Sequence, residues 1–152
     1  LGALAGWYTK NVGEDFLACR GQIAQLLQEE SSLMEIVKLI GADVLPDDQK
    51  LVIEIARVIR VGFLQQNAYH KDDTYVPLSK QLGMMKVILH LYLSARALVA
   101  AQIPLSAILA TGLFDKAARI KYDVPNDRPE LLDAYIEDID GTLSDLRASR
   151  PA

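Results

Sequence analysis

Apolar residues recur at three- and four-residue steps along most of the chain, the period of a helix with one buried face. From Glu14 onward, Phe16, Ile23, Leu26, Leu27, Leu33, Met34, Val37 and Ile40 trace one such face. Glu14 and Asp15 suit the positive end of that helix, and Gly41 is a natural C-terminal stop. Gly21 weakens its middle by about 1 kcal/mol relative to alanine, and Ser31-Ser32 leaves open whether the run is one helix or two. Before it, Leu1 to Val12 mixes Gly2, Gly6 and Trp7-Tyr8 and reads as irregular, with the two aromatics covering a core edge.

A second helix is expected from Pro46, a residue tolerated in a first turn. Asp47 and Asp48 lie favourably beside its N-terminal dipole. Leu51, Val52, Ile55, Val58, Ile59 and Phe63 form the buried face, and Lys50, Glu54, Arg57 and Arg60 a solvated one. Gln65, Gln66 and Asn67 end the apolar pattern, and His70 to Tyr75 reads as a loop. A third helix runs from Pro77 or Ser79 to about Ala101. Its stripe of Leu78, Leu82, Met85, Ile88, Leu89, Tyr92, Leu93, Leu98 and Val99 is wide enough for contact on more than one side. Pro104 opens a short helix through Leu109, Thr111-Gly112 breaks it, and Phe114 to Tyr122 forms another. A loop with two prolines, Asp123 to Pro129, precedes a last helix from Glu130 to Arg147 that Gly141 frays. No segment alternates with the period of a strand. The expectation is an all-α bundle of five to six helices with no sheet, in one domain spanning residues 1–152.

Composition narrows the function. Hydrophobic residues make up 51% and charged residues 24%, ordinary for a globular protein, and a chain of this length buries roughly 70% of its unfolded surface without disulfide staples. The net charge of −4 and the lack of a basic block argue against nucleic-acid binding. Cys19 is the single cysteine, so no internal disulfide is possible, and with two histidines it makes no zinc set. A reducing cytoplasm fits this usage. There is no signal peptide pattern, and the most apolar run, Met84 to Ala101, is interrupted by His90 and Arg96 and reads as a core helix rather than a membrane insertion. The start lacks a methionine and any polar lead-in, as a cut inside a longer protein would.

Catalytic patterns are missing. There is no Gly-rich phosphate loop or dinucleotide fingerprint and no nucleophile elbow. His90, inside an apolar helix, reads as a core or interface histidine. The pairs Asp47-Asp48 and Asp72-Asp73 are neighbours in a turn and a loop, where two carboxyls seldom converge on one bond from opposite sides. The segment alone is therefore expected to catalyse nothing and to hold neither metal nor cofactor.

The most specific stretch is Leu39-Ile-Gly-Ala-Asp-Val-Leu-Pro-Asp-Asp-Gln-Lys-Leu51, followed by Ala56-Arg57 and Phe63-Leu-Gln-Gln-Asn-Ala-Tyr69. It resembles the C-terminal helical domain of the catalytic A subunit of V-type and archaeal-type (V/A-type) rotary ATPases. Supporting residues run from Trp7-Tyr8, Asn11 and Leu27-Gln-Glu-Glu30 to Asp73-Thr-Tyr75, Lys80-Gln81, Met84 to Leu89 and Tyr92. Further along, Pro104-Leu105, Ile108, Ala118-Arg119 and Lys121-Tyr122 also match, and the likeness thins after Asn126. More distantly, the stretch is similar to the beta subunit of F-type ATP synthases. A noncatalytic B subunit would carry a plainer Phe-x-x-Gln-Gly, so Gln65-Gln-Asn-Ala-Tyr69 favours the catalytic subunit.

The resemblance implies two sites. Asp43, Val44, Leu45, Pro46, Asp47 and Asp48 would form a tip facing the central rotor stalk, a short turn between two helices acting as a lever. A solvated loop with a helix-capping charge pair is the other reading of the same residues. Pro46 sits where the F-type relatives often have serine and Val44 replaces an acid, so shape and apolar contact through Val44 and Leu45 count as much as charge. Tyr69 would line the adenine pocket by stacking on the purine, with Tyr75 as a second aromatic wall. Gln66 and Asn67 would either hydrogen-bond the base or cap the second helix. Lys71-Asp72 departs from the acidic-apolar pair common in relatives. Further implications are ATP or ADP and magnesium in a preceding nucleotide-binding domain, proton or sodium transport, and noncatalytic B subunits and the rotor stalk as partners. Location would be cytoplasmic, peripheral to the membrane in the soluble head. The alternative from another class is a free-standing helical interaction module without a nucleotide role.

Overall fold

The computed structural model describes residues 2–64 and 77–149. Among them are seven α-helices and no strand. These are α1 (Gly2–Ile40), α2 (Asp47–Ile59), α3 (Leu78–Ala100), α4 (Leu105–Leu109), α5 (Leu113–Ala118), α6 (Ile120–Asp123) and α7 (Leu132–Ala148). The all-α bundle is as the hydrophobic period requires. The extra helix arises because the expected Phe114 to Tyr122 helix is broken at Arg119, whose φ of −106° and ψ of 5° end one helical segment and start the next.

The reading of the first residues as irregular is corrected: α1 is helical from Gly2 and runs for 39 residues, roughly 58 Å at 1.5 Å per residue. No proline interrupts it, and once a helix is nucleated each further residue adds a bond, so isolated glycines lower stability without stopping it. Gly21 and Ser31-Ser32 likewise leave α1 unbroken, because they sit on its outer side while Ile23, Leu26 and Leu33 are buried on the inner one. Gly141 does not end α7 either.

α3 is the central helix. Leu82, Met84, Met85, Val87, Ile88, Leu91 and Ala95 are buried around its circumference, and α1, α2 and α7 all pack on it. Its breadth of apolar surface is thus used on several sides at once. By length and composition α3 would suffice to cross a membrane, and here it is the axis of the core. Leu51, Ile55 and Ile59 of α2, Ile108 of α4, Phe114 of α5 and Ile120 of α6 complete the same cluster. Each such aliphatic or aromatic side chain contributes about 1.5–3 kcal/mol when fully buried. His90 is an interface histidine, half-buried, with Nε2 2.6 Å from Asp140 Oδ1 on α7.

Arg57 of α2 and Arg60 just after it are exposed, as the pattern assigns them, and each also ties helices together. Arg60 donates to Glu30 of α1 at 2.7 Å, and Arg57 to Asp115 of α5 at 3.3 Å. α2 also ends earlier than its apolar pattern: after Ile59 the chain widens into a π-helical turn, Arg60–Leu64. Ile40, placed on the buried face by the period, is exposed, because the last turn of α1 runs on to the chain reversal at Gly41.

Candidate functional site

The tip between α1 and α2 is built on one backbone conformation. Gly41 has φ 87° and ψ 159°, a region that is essentially reserved for glycine. It lets the chain leave α1, whose last bond is Gly41 N–H to the Val37 carbonyl at 2.9 Å, and reverse within a few residues. A 3-10 turn, Ala42–Val44, follows and is closed by Leu45 N–H on the Ala42 carbonyl at 3.1 Å. Pro46 caps α2, its carbonyl accepting from Gln49 and Lys50 at 3.1 and 3.0 Å.

The six tip residues named from the sequence divide into two groups. Leu45 turns inward and is 6% exposed, within the core cluster. Asp47 also serves the fold: its Oδ2 accepts the Leu105 N–H at 2.9 Å. That amide opens α4 after Pro104, which has no side-chain capping group, so its donor would otherwise lack a partner. Asp43, Val44, Pro46 and Asp48 face outward. Among the described residues, no lysine or arginine forms an ion pair with Asp43 or Asp48. Sequence reasoning missed how apolar the surroundings are: Leu39 is 83% exposed, Ile40 62% and Val44 58%. The signal was available in Leu39-Ile40, but the helical period assigned Ile40 to the core.

Behind the tip, a groove of ≈ 520 Å³ lies between the start of α2 and the end of α3, lined by Pro46, Asp47, Asp48, Arg96, Val99 and Gln102. Gln102 has φ 72°. It sits at the left-handed position of a Schellman ending, with Ile103 N–H on Leu98 O at 3.0 Å and Gln102 N–H on Val99 O at 2.9 Å. This sharp ending brings Leu105 back to Asp47. Tyr92, one turn before Arg96, has its phenol pushed up by burial, while the Arg96 guanidinium acts in the opposite direction.

Gln66, Tyr69 and Tyr75 lie outside the described residues. The chain on either side of them is described. On one side Gly62, in the π turn, is pressed against α5: a Cβ there would lie 2.8 Å from the Ala118 carbonyl oxygen and 2.9 Å from its Cα. On the other side Lys80, fully buried in the first turn of α3, donates from Nζ to the Lys121 carbonyl at 2.9 Å and to Asn126 Oδ1 at 2.7 Å. Lys121 is buried as well, its ammonium 5.9 Å from the centre of the Tyr122 ring. Burial of these lysines was not foreseen, although Lys80-Gln81 and Lys121-Tyr122 were among the matching residues. Residues 47–64 separate the tip from this end by roughly 25 Å at helical rise. Among the described residues no three histidine, cysteine or acidic side chains gather to hold a metal ion.

Comparison with known proteins yields one consistent result. The family model described as the C-terminal domain of V and A type ATP synthase matches residues 5–109. The V-type ATP synthase alpha chain 2 of Clostridium tetani is 48% identical over 124 residues, 82% of this chain and 21% of that protein. The V-type ATP synthase alpha chain of Clostridioides difficile is 40% identical over 146 residues, 96% of this chain and 25% of that one. The A subunit of the A-type ATP synthase of Methanopyrus kandleri is 43% identical over 121 residues, 80% of this chain and 20% of its own length. The chain therefore spans about a fifth to a quarter of the curated relatives it matches.

Proposed function

We propose the following role from the premise that this chain belongs to the family of C-terminal domains of V- and A-type ATP synthases. It is the helical C-terminal part of a catalytic A subunit, and it couples ATP hydrolysis or synthesis elsewhere in that subunit to turning of a central stalk and to proton or sodium transport. Phosphate and magnesium are held by the nucleotide-binding part of the longer subunit, and Gln66, Tyr69 and Tyr75 contribute to the adenine pocket. Noncatalytic B subunits flank it in a soluble head peripheral to the membrane on the cytoplasmic side. The family match argues against a free-standing interaction module.

The tip is the rotor contact in this reading. Asp43, Val44, Pro46 and Asp48 touch the stalk together with Leu39 and Ile40, while Leu45 and Asp47 hold the turn from behind. The observation that carries the reading is this exposed apolar turn, fixed by Gly41 and by the Asp47 bond to Leu105, at the far end of α2 from the nucleotide-side segment. A stiff helix with a stalk at one end and a nucleotide at the other converts binding energy at one into force at the other, and the coupling is reciprocal.

The test is Val44→Lys in the assembled enzyme. Ion transport driven by ATP should fall severalfold relative to ATP hydrolysis, because a charge is placed in an apolar contact. An unchanged ratio of transport to hydrolysis in an intact complex overturns the rotor reading. The nucleotide reading has its own test: Tyr69→Ala in the full-length protein should weaken nucleotide binding by about 1–3 kcal/mol, the range for loss of a base-stacking aromatic. Unaltered affinity removes Tyr69 from the pocket.

A further inference from the structure

Gly62 and Lys80 are buried on either side of residues 65–76, and both are held by the same short stretch of chain. Gly62 rests on the backbone of Ala118. Lys80 places its ammonium on the carbonyl of Lys121 and the side chain of Asn126. The stretch from Ala118 to Asn126 contains the helix break at Arg119 and α6, and it lies beyond the part of the chain matched by the family model.

We infer that residues 118–126 are a clamp that fixes both stems of the segment carrying Gln66, Tyr69 and Tyr75, and that Gly62, Lys80 and Asn126 are positioning residues for it. Three physical features support this. A buried ammonium is costly to desolvate and is tolerated only where oxygen acceptors are held ready; Lys80 is fully buried with two such acceptors at short distance. The Gly62 contact is backbone against backbone, so it transmits displacement without the slack of a side chain. The break at Arg119 turns the chain so that the Ala118 backbone meets the π turn while the Lys121 carbonyl and the Asn126 side chain meet α3. An uninterrupted Phe114 to Tyr122 helix would not bend at that point. Arg57 to Asp115 adds a further tie between α2 and the helix that ends in the clamp.

The role for nucleotide binding rests on the proposed function, whereas the clamp itself does not, so the experiment separates them. Amide hydrogen exchange is measured on the purified protein and on its Asn126→Ala, Asn126→Asp and Lys80→Met variants. Asn126 is only half-buried, so its variants keep the core intact even if Lys80→Met unfolds the protein. Losing a hydrogen bond to a charged group speeds local opening by about tenfold or more. For Asn126→Ala, that acceleration should appear both in the first turns of α3 and in the π turn Arg60–Leu64, with the amides of α1 unchanged. Asn126→Asp keeps an acceptor oxygen and should retain wild-type protection. Acceleration restricted to α3, or spread evenly over the whole chain, overturns the clamp. In the full-length protein, Asn126→Ala should raise the KM for ATP with little change in kcat. If Tyr69→Ala leaves nucleotide affinity unaltered, the nucleotide reading fails and the exchange result still decides the clamp. If Tyr69→Ala weakens binding and Asn126→Ala does not, the positioning role is overturned.

Discussion

Asp47→Ala separates an acid that builds the tip from acids that decorate it. In the folded protein, Asp47 Oδ2 accepts the Leu105 amide at 2.9 Å. A hydrogen bond to a charged group contributes about 1.5–3 kcal/mol net, and partial exposure of this carboxylate brings the figure to the lower end, close to the ~1 kcal/mol of an ordinary N-cap. Asp47 also lies in the first turn of α2, where the helix dipole adds about 0.3–1 kcal/mol. The expected loss for Asp47→Ala is therefore about 2 kcal/mol. For a chain of 152 residues, this corresponds to a fall of about 4–8 °C in Tm. Asp48→Ala is the matched control: it removes the dipole contribution and a local bond to the Gln49 amide at 3.0 Å but nothing that reaches α4. It should lower Tm by less than half as much, and Asp43→Ala less again. Asp47→Asn keeps an acceptor oxygen and should recover part of the loss. The assay is urea and thermal unfolding followed by far-UV circular dichroism, with the m-value required to stay constant. Equal losses for Asp47→Ala and Asp48→Ala would refute the reasoning, because the bond to α4 would then contribute nothing.

Two further outcomes follow from backbone geometry. Gly62→Ala should destabilise by about 1–3 kcal/mol, the usual cost of overpacking, because its Cβ meets backbone atoms of Ala118; Ala118→Gly should not rescue it, and a rescue in unfolding experiments would show that the side chain was the obstacle. Gln102→Gly should stabilise by about 0.5–1 kcal/mol: relief of a left-handed non-glycine residue, worth about 1–2 kcal/mol, outweighs the added freedom of glycine in the unfolded chain. A lowered midpoint in urea would mean that the Gln102 side chain makes up for its backbone strain.

Much of the fold was legible because its signals are local. Pro46, Pro77 and Pro104 stand as caps of α2, α3 and α4, and a proline can cap a helix whatever lies around it. The starts of those helices were accordingly placed to within a residue or two. The tip was legible for a similar reason, since Gly41 and Pro46 restrict the backbone on either side of it. The region of Phe114 to Tyr122 was not, because its apolar period is continuous and the break at Arg119 accompanies packing of Ala118 against a glycine far away in sequence. The first residues were misread in the opposite sense: local glycines suggested irregular chain, and propagation of the adjoining helix prevailed.

By itself, then, the sequence determined the all-α class, the positions of the proline-capped helices and the family to which the chain belongs, since periodicity and capping act within a few residues and motifs are read along the chain. Tertiary structure alone decided which acids face outward at the tip, and it alone buried Lys80 and joined both stems of residues 65–76 to one stretch. Asp47 and Asp48 are the same residue type at adjacent positions; only the amide of Leu105, 58 residues further on, makes one structural and leaves the other exposed. Lys80 could be assigned to a solvated surface by composition alone. Within the fold a carbonyl and an amide oxygen from 41 and 46 residues away accept from its buried ammonium, and such partners exist only after the chain has folded.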